Sequence, residues 1–127
     1  ARFGYLFLRD GCWNGARVLP EGWVAGSTTP NPSFMSDPPD DWIPDEDAAP
    51  GRHWWLNVPI PELGHDSPWV GAPPDTFAAL GHWGQSIFVI PSEDLVLVRV
   101  GDDRETGILD RTRYLQLALA LAAEDKP

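Results

Sequence analysis

The chain has 127 residues, 43% of them hydrophobic, which suits a single globular domain and is too apolar for a disordered chain. Its formal net charge of −10 disfavours phosphate backbones and anionic membrane surfaces as partners, so we expect no nucleic-acid binding. No stretch approaches the roughly 20 apolar residues of a membrane-spanning helix, so we expect no membrane insertion. A single cysteine, Cys12, excludes an internal disulfide and a cysteine-based metal site.

Two short helices are predicted near the start of the sequence. In the first, Phe3, Leu6 and Phe7 recur at helical spacing. A tight turn is predicted at 14–15, where an Asn-Gly pair occurs. In the second helix, Pro20 occupies the predicted first helical position, where its fixed φ suits a helix start.

The middle of the sequence, from about 29 to 75, is rich in proline and acid and is predicted to be a long loop region. Six of the 19 acidic residues lie between 37 and 47, with no lysine or arginine among them. Their spacing lacks the alternating acids of an EF-hand, so we interpret this run as a solvated loop. Within the region, the aromatic segment 52–57 is predicted to be a short strand.

Two apolar runs at 85–90 and 95–100 predict a β-hairpin. Both are rich in β-branched residues, and the residues 91–94 between them are typical of a turn. Because the runs are almost continuously apolar, we expect the sheet to be covered on both faces over most of its length.

A C-terminal helix is predicted to begin after Asp110, which can cap it, and to run to about Glu124. The apolar residues expected to face the sheet are Tyr114, Leu117, Ala118 and Leu121, with Leu115, Leu119 and Ala122 widening that face. Together these elements predict the α+β class, with an antiparallel sheet of about three strands, a flanking C-terminal helix and short N-terminal helices.

The segment Gly81-His82-Trp83-Gly84-Gln85 directly precedes the first strand of the predicted hairpin. This arrangement resembles the strand pair of class C β-lactamase-like, penicillin-recognising serine hydrolases that carries their third motif: a basic residue, any residue, then glycine. Here His82-Trp83-Gly84 matches that motif. Its position at the entry to a hairpin, followed by a terminal helix, makes the combination fairly specific.

Further segments with the same resemblance lie towards both ends of the chain, at 1–8, 13–15, 19–24 and 75–80. We therefore interpret residues 1–127 as a C-terminal segment of such a hydrolase domain, with the acidic middle as a variable insertion. The resemblance implies a partial β-lactamase/transpeptidase-like fold. Members of this family are often periplasmic or secreted and some are cytoplasmic, so the compartment stays open.

The resemblance also implies a role for each residue of the motif. His82 would favour an anionic substrate group or assist proton transfer, and Gly84 would let substrate approach the strand without a side-chain clash. The backbone N–H of Gln85 would be one of two oxyanion donors. Trp83 is either a substrate-facing aromatic residue or ordinary sheet packing. The implied substrates are small esters, amides and β-lactam or peptide-like molecules, with no cofactor.

The acylating residues of the family are not found in this sequence. None of its serines is followed by lysine three positions later, and neither Tyr5 nor Tyr114 begins a Tyr-Xaa-Asn motif. We therefore expect the nucleophile to lie in a missing N-terminal part of the same protein, and this chain alone to be inactive. Apolar surface left uncovered would be buried by that part or by self-association.

One plainer interpretation stays open. The chain could be a non-catalytic binding or scaffolding domain derived from the same fold, with His82 an ordinary strand-edge histidine. A metal site is not predicted, because the three histidines lack His-Xaa-Xaa-His or His-Glu-Xaa-Xaa-His spacing.

Overall fold

The computed structural model describes residues 1–42, 48–105 and 108–124, which form an α+β fold, as predicted. The helices are α1 (Arg2–Leu8), α2 (Trp23–Ser27), α3 (Pro32–Ser36) and α4 (Arg111–Glu124). The strands are β1 (Cys12–Trp13), β2 (Ala16–Arg17), β3 (Ala49–Pro50), β4 (Trp55–Leu56), β5 (Phe77–Leu80), β6 (Ser86–Ile90) and β7 (Leu95–Arg99). Short 3-10 turns occur at Pro61–Leu63, His82–Gly84 and Pro91–Glu93.

The main sheet has five strands in the order β3-β4-β5-β6-β7, and every neighbouring pair is antiparallel. The predicted hairpin is confirmed, with β6 and β7 paired from Ser86↔Arg99 to Ile90↔Leu95. The sheet has two strands more than the predicted three, because β5 lies between β4 and β6 and the two-residue strand β3 pairs with β4 at the edge. Of the strand predicted at 52–57, only Trp55–Leu56 pairs with neighbouring strands.

Helix α1 covers one face of the β6–β7 hairpin. Gly4 makes the closest approach: a Cβ placed there would lie 2.8 Å from both the Ile87 Cγ2 and the Val96 Cγ1. Beside this contact the Phe7 ring packs against Trp54 at 4.7 Å between centroids, and Trp54 packs edge-on against Phe77 at 4.8 Å. The first predicted helix is therefore the cover of the sheet on this side.

Helix α4 covers the opposite face, so the expectation of a sheet covered on both sides is confirmed. The Asp110 Oδ1 accepts a hydrogen bond from the Arg113 N–H at 2.9 Å, which confirms the predicted cap. Leu115 is fully buried against the sheet. The predicted helix face is wrong in part, because Leu117 and Leu121 are 49% and 64% exposed.

The second predicted helix begins later than expected. Helix α2 starts at Trp23, and Pro20 lies before it, accepting a backbone hydrogen bond from the Trp23 N–H at 3.1 Å. The tight turn at 14–15 is confirmed: Asn14 and Gly15, at φ 49° and 79°, connect β1 to β2.

The region from 29 to 75 is mostly irregular, and one buried side chain organises its second half. Asn57 is fully buried, and its Oδ1 accepts a hydrogen bond from the Trp69 N–H at 2.8 Å. Its Nδ2 donates to the carbonyls of Ala72 and Pro73 at 3.2 and 3.1 Å. The Asn57 amide thus gives hydrogen-bond partners to three backbone groups of this loop, all of which lie outside the strands. Residues 43–47 of the acidic run lie outside the described residues.

Strand β7 is the last strand of the described sheet, and the apolar residues Val98 and Val100 beside its outer edge are 40% and 85% exposed. Self-association through such surface stays a prediction. Among the described residues, no helix combines the length and apolarity needed to cross a membrane.

We expect Asn57→Ala to lower the free energy of unfolding by about 3 kcal/mol, because it leaves a buried N–H and several carbonyls without hydrogen-bond partners.

Asn57→Asp should be at least as damaging at neutral pH, since a carboxylate would face carbonyl oxygens. A protonated carboxyl can donate where the carboxylate cannot, so the folded state raises the pKa of that new group. The loss should therefore shrink as pH falls. Urea unfolding at several pH values measures both effects, and equal stability of variant and parent would contradict them.

We expect Gly4→Ala to destabilise the protein by about 1–2 kcal/mol, because its methyl group meets two stiff β-branched side chains and this overpacking exceeds the gain in helix propensity. Gly26→Ala is the matched control. Gly26 is also helical, and an added Cβ there meets nothing within 4 Å. Urea unfolding of the two variants should show the first destabilised and the second unchanged or stabilised; equal effects would refute the close approach.

Candidate functional site

The predicted motif forms the connection between β5 and β6. Leu80 and Ser86 are the last paired residues of the ladder, and beyond them the Gly81 N–H donates to the Gln85 carbonyl at 2.8 Å. The intervening His82–Gly84 make a 3-10 turn. Within it Trp83 has a φ of 56°, which is unusual for a residue with a side chain.

The carbonyls of this turn are held by the segment that follows β7. The Arg99 Nη1 donates to the Gly84 carbonyl at 2.8 Å, and the Asp103 N–H donates to the Trp83 carbonyl at 3.1 Å. The Arg99 Nη2 and the Asp103 Oδ1 form an ion pair at 2.8 Å, with both side chains largely shielded from solvent. The hydrogen bond to Asp103 raises the pKa of Arg99 above its usual value, so the guanidinium stays charged.

Gly84 is required by these contacts. Its φ is 79°, and a Cβ placed there would overlap the Arg99 Nη1 and the Asp103 Oδ2. The space beside its α-carbon is therefore filled by the chain's own ion pair. The predicted approach of substrate would take place on the side of Gly84 that faces the cleft, and it stays a prediction.

A cleft of about 510 Å³ opens between this turn and the start of α4. His82, Trp83 and Gly84 line one wall, and Arg104 and Arg111 are among the residues of the other. Among the described lining residues there is no hydroxyl or thiol. The cleft can therefore offer an imidazole, an aromatic face, guanidinium groups and the carboxylates of Asp103 and Glu105 to a ligand, and its described walls offer no hydroxyl or thiol that could be acylated.

Trp83 projects into this cleft and is 42% exposed. The Arg104 guanidinium lies over its ring, 3.8 Å from the centroid, in a cation–π contact. The same guanidinium is bonded to Asp102 at 2.6 and 3.2 Å. The exposed His82 ring lies 4.9 Å from the Trp83 ring. Trp83 thus lies in the turn outside the sheet ladder, and its contact with substrate stays a prediction.

Gln85 follows Gly84 in the chain but is not among the residues that line the cleft. Its N–H stands outside the sheet ladder and donates a long hydrogen bond of 3.5 Å to the His82 carbonyl. Its side-chain Nε2 donates to the Gly101 carbonyl. The structure therefore brings His82, Trp83 and Gly84 together at the cleft, and leaves the Gln85 amide weakly bonded beside the last of these lining residues.

Sequence analysis missed Arg99, Asp103 and Arg104, which hold or cover the turn. For Arg99 a signal existed. Counting the ladder outward from the predicted turn pairs residue 86 with residue 99, which puts Arg99 beside the motif. For Asp103 and Arg104, beyond the end of β7, no pattern in the sequence predicts a return towards the turn.

We expect Gly84→Ala to break the Arg99 and Asp103 contacts and to loosen the Arg104–Trp83 stack, with a loss of about 2–4 kcal/mol in stability from strain and clash together. Gly15→Ala is the control, since Gly15 has the same φ of 79° and an added Cβ there meets nothing within 4 Å. Urea unfolding measures both variants, and acrylamide quenching of tryptophan fluorescence should rise only for Gly84→Ala. Equal losses in the two variants would show that φ alone makes glycine necessary at position 84.

Comparison with known proteins adds no relative to this picture. No protein-family profile matches the chain, and no curated protein matches it either.

Proposed function

We propose that this chain supplies the third-motif wall of an acyl-transferring serine hydrolase that acts on small esters, amides or β-lactam and peptide-like substrates. The observation that carries the proposal is the placement of His82-Trp83-Gly84 at a cleft, at the entry to a β-hairpin. The adjacent Gln85 amide is outside the ladder, which supports a role as donor to a developing negative charge.

In this proposal each residue acts where the turn presents it. The exposed His82 imidazole stabilises an anionic substrate group or assists a proton transfer beside the attacking hydroxyl. Trp83 packs against the body of the substrate. The Gln85 N–H exchanges its long turn bond for a bond to the oxyanion, and one such donor contributes about 3–4 kcal/mol to transition-state stability in other hydrolases.

The attacking serine and its proton-transfer partners would come from residues outside these 127. Two observations support this. No serine here stands three residues before a lysine. The serine nearest the motif, Ser86, is buried within β6, only 4% exposed. Acyl-enzyme chemistry needs an accessible hydroxyl beside a base, so the intact site would need a second wall that brings both.

A non-catalytic binding or scaffolding domain is the second candidate. The observation that favours it is the cover over Gly84, since the chain's own Arg99 and Asp103 fill one side of the turn. In that case the cleft would bind ligand through Trp83 and Arg104 and would never acylate.

We expect the isolated chain to show no serine-dependent turnover of 4-nitrophenyl acetate or nitrocefin, because its described cleft has no hydroxyl or thiol nucleophile. Turnover that a serine reagent abolishes would refute the proposal that the nucleophile lies elsewhere. In the intact enzyme we expect a Ser-Xaa-Xaa-Lys motif upstream of this segment; an intact protein without one would favour the scaffold.

In the intact enzyme we expect His82→Asn to lower the acylation rate by about 10²-fold, because it removes a positioned proton-transfer group. His53→Asn is the matched control. His53 is also exposed, and asparagine tolerates its left-handed φ of 65°. Single-turnover kinetics with a chromogenic ester measures both variants. An unchanged rate for His82→Asn would remove this residue from the site.

A further inference from the structure

The Gly84 carbonyl and the Gln85 N–H belong to one peptide group. A peptide group is planar, and its carbonyl and N–H point in opposite directions. The Arg99 Nη1 holds that carbonyl at 2.8 Å. A contact that fixes the direction of the carbonyl therefore also fixes the direction of the N–H, which points the opposite way in the same plane.

This peptide group has little else to hold it. Gly84 has a φ of 79° and no side chain, so rotation of the peptide next to it meets little steric resistance. The bond from the Gln85 N–H is long, at 3.5 Å, and falls outside the range of strong hydrogen bonds. The bond from Arg99 is therefore the main restraint on the orientation of this amide.

The charge of Arg99 adds a second effect. A guanidinium bonded to a carbonyl oxygen polarises the whole amide, which makes the N–H of the same amide a stronger donor. Asp103 holds the guanidinium through Nη2, and its own N–H fixes the preceding carbonyl, that of Trp83. Arg99 and Asp103 thus determine the direction of two successive peptide groups, and Arg99 polarises the second.

We propose that Arg99, held by Asp103, is a positioning residue that aims and strengthens the Gln85 N–H as an oxyanion donor. The proposal rests on the proposed function for the identity of the acceptor. It assigns Arg99 no contact with substrate, because this side chain lies on the far side of the peptide group from the N–H.

The first test uses this chain alone, labelled with ¹³C and ¹⁵N, and triple-resonance NMR that correlates the Gln85 amide with the Gly84 carbonyl carbon. In Arg99→Gln we expect the carbonyl carbon of Gly84 and the amide proton of Gln85 to move upfield, and the Gln85 amide to exchange faster with solvent. In Arg99→Lys, which keeps the charge but offers a point donor in place of a planar fork, the chemical shifts and the exchange rate should fall between those of the parent and those of Arg99→Gln.

Arg104→Gln is the control, since Arg104 contacts the Trp83 ring and makes no bond to this peptide group. Should Arg99→Gln fail to fold, Asp103→Asn tests the same restraint with a smaller expected shift. Unchanged Gly84 and Gln85 resonances in the folded variants would overturn the proposal.

The second test uses the intact enzyme, acylated by an ester with a ¹³C-labelled carbonyl, and infrared difference spectroscopy. In Arg99→Lys we expect the acyl carbonyl to absorb at higher frequency, and kcat to fall about tenfold with KM nearly unchanged, because the donor is weakened mainly in the transition state. A merely destabilised fold would lower the fraction of active enzyme without moving the carbonyl band.

The two proposals fail in different ways. An active enzyme whose Arg99→Lys variant keeps the parental carbonyl band and kcat would overturn the positioning role and leave the hydrolase assignment standing. An intact protein without hydrolase activity, combined with the expected NMR shifts in this chain, would overturn the hydrolase and oxyanion assignment while Arg99 still orients the Gln85 amide.

Discussion

The contact between Arg99 and the Gly84 carbonyl joins the end of β7 to the turn between β5 and β6. Several features of this end of the molecule follow from it. Gly84 has no room for a side chain, because the guanidinium and its partner Asp103 fill the space. The chain after β7 must return over the turn so that the Asp103 N–H can meet the Trp83 carbonyl. That return leaves the cleft open on one side of the turn and closed on the other.

The parts of the fold that could be predicted are those in which local signals agree. The β6–β7 hairpin combines β-branched runs with a turn of the expected length, and the Asp110 cap combines a favoured residue with a following apolar helix. The two-residue strand β3 escaped prediction because so short a pairing has no period, and long-range contacts determine it. For the same reason the strand predicted at 52–57 shrinks to the two residues of β4.

The covering face of α4 was predicted only in part, for a reason visible in its sequence. Leucines at 115, 117, 119 and 121 alternate with other residues, so apolar side chains occur all round the helix. A pattern of this kind fits more than one rotation of the helix on the sheet. Packing against Phe88 selects the rotation that buries Leu115 and leaves Leu117 and Leu121 outside. The same reasoning applies to the site: the motif is a local signal, whereas the residues that hold it come from a segment whose path depends on tertiary contacts.

The candidate site therefore has a rigid part and an adaptable part. The carbonyls of Trp83 and Gly84 are held by backbone and charge-assisted bonds from partly buried groups, which are costly to break. Arg104, in contrast, is held by an exposed pair with Asp102 and by a cation–π contact, which contribute about 1 kcal/mol or less each at exposed positions. A ligand that stacks on Trp83 or carries an anionic group can displace or recruit Arg104 at little cost, while the amide beyond Gly84 keeps its direction. Oxyanion chemistry needs this division, because the donor must be preorganised while the substrate body is being accommodated.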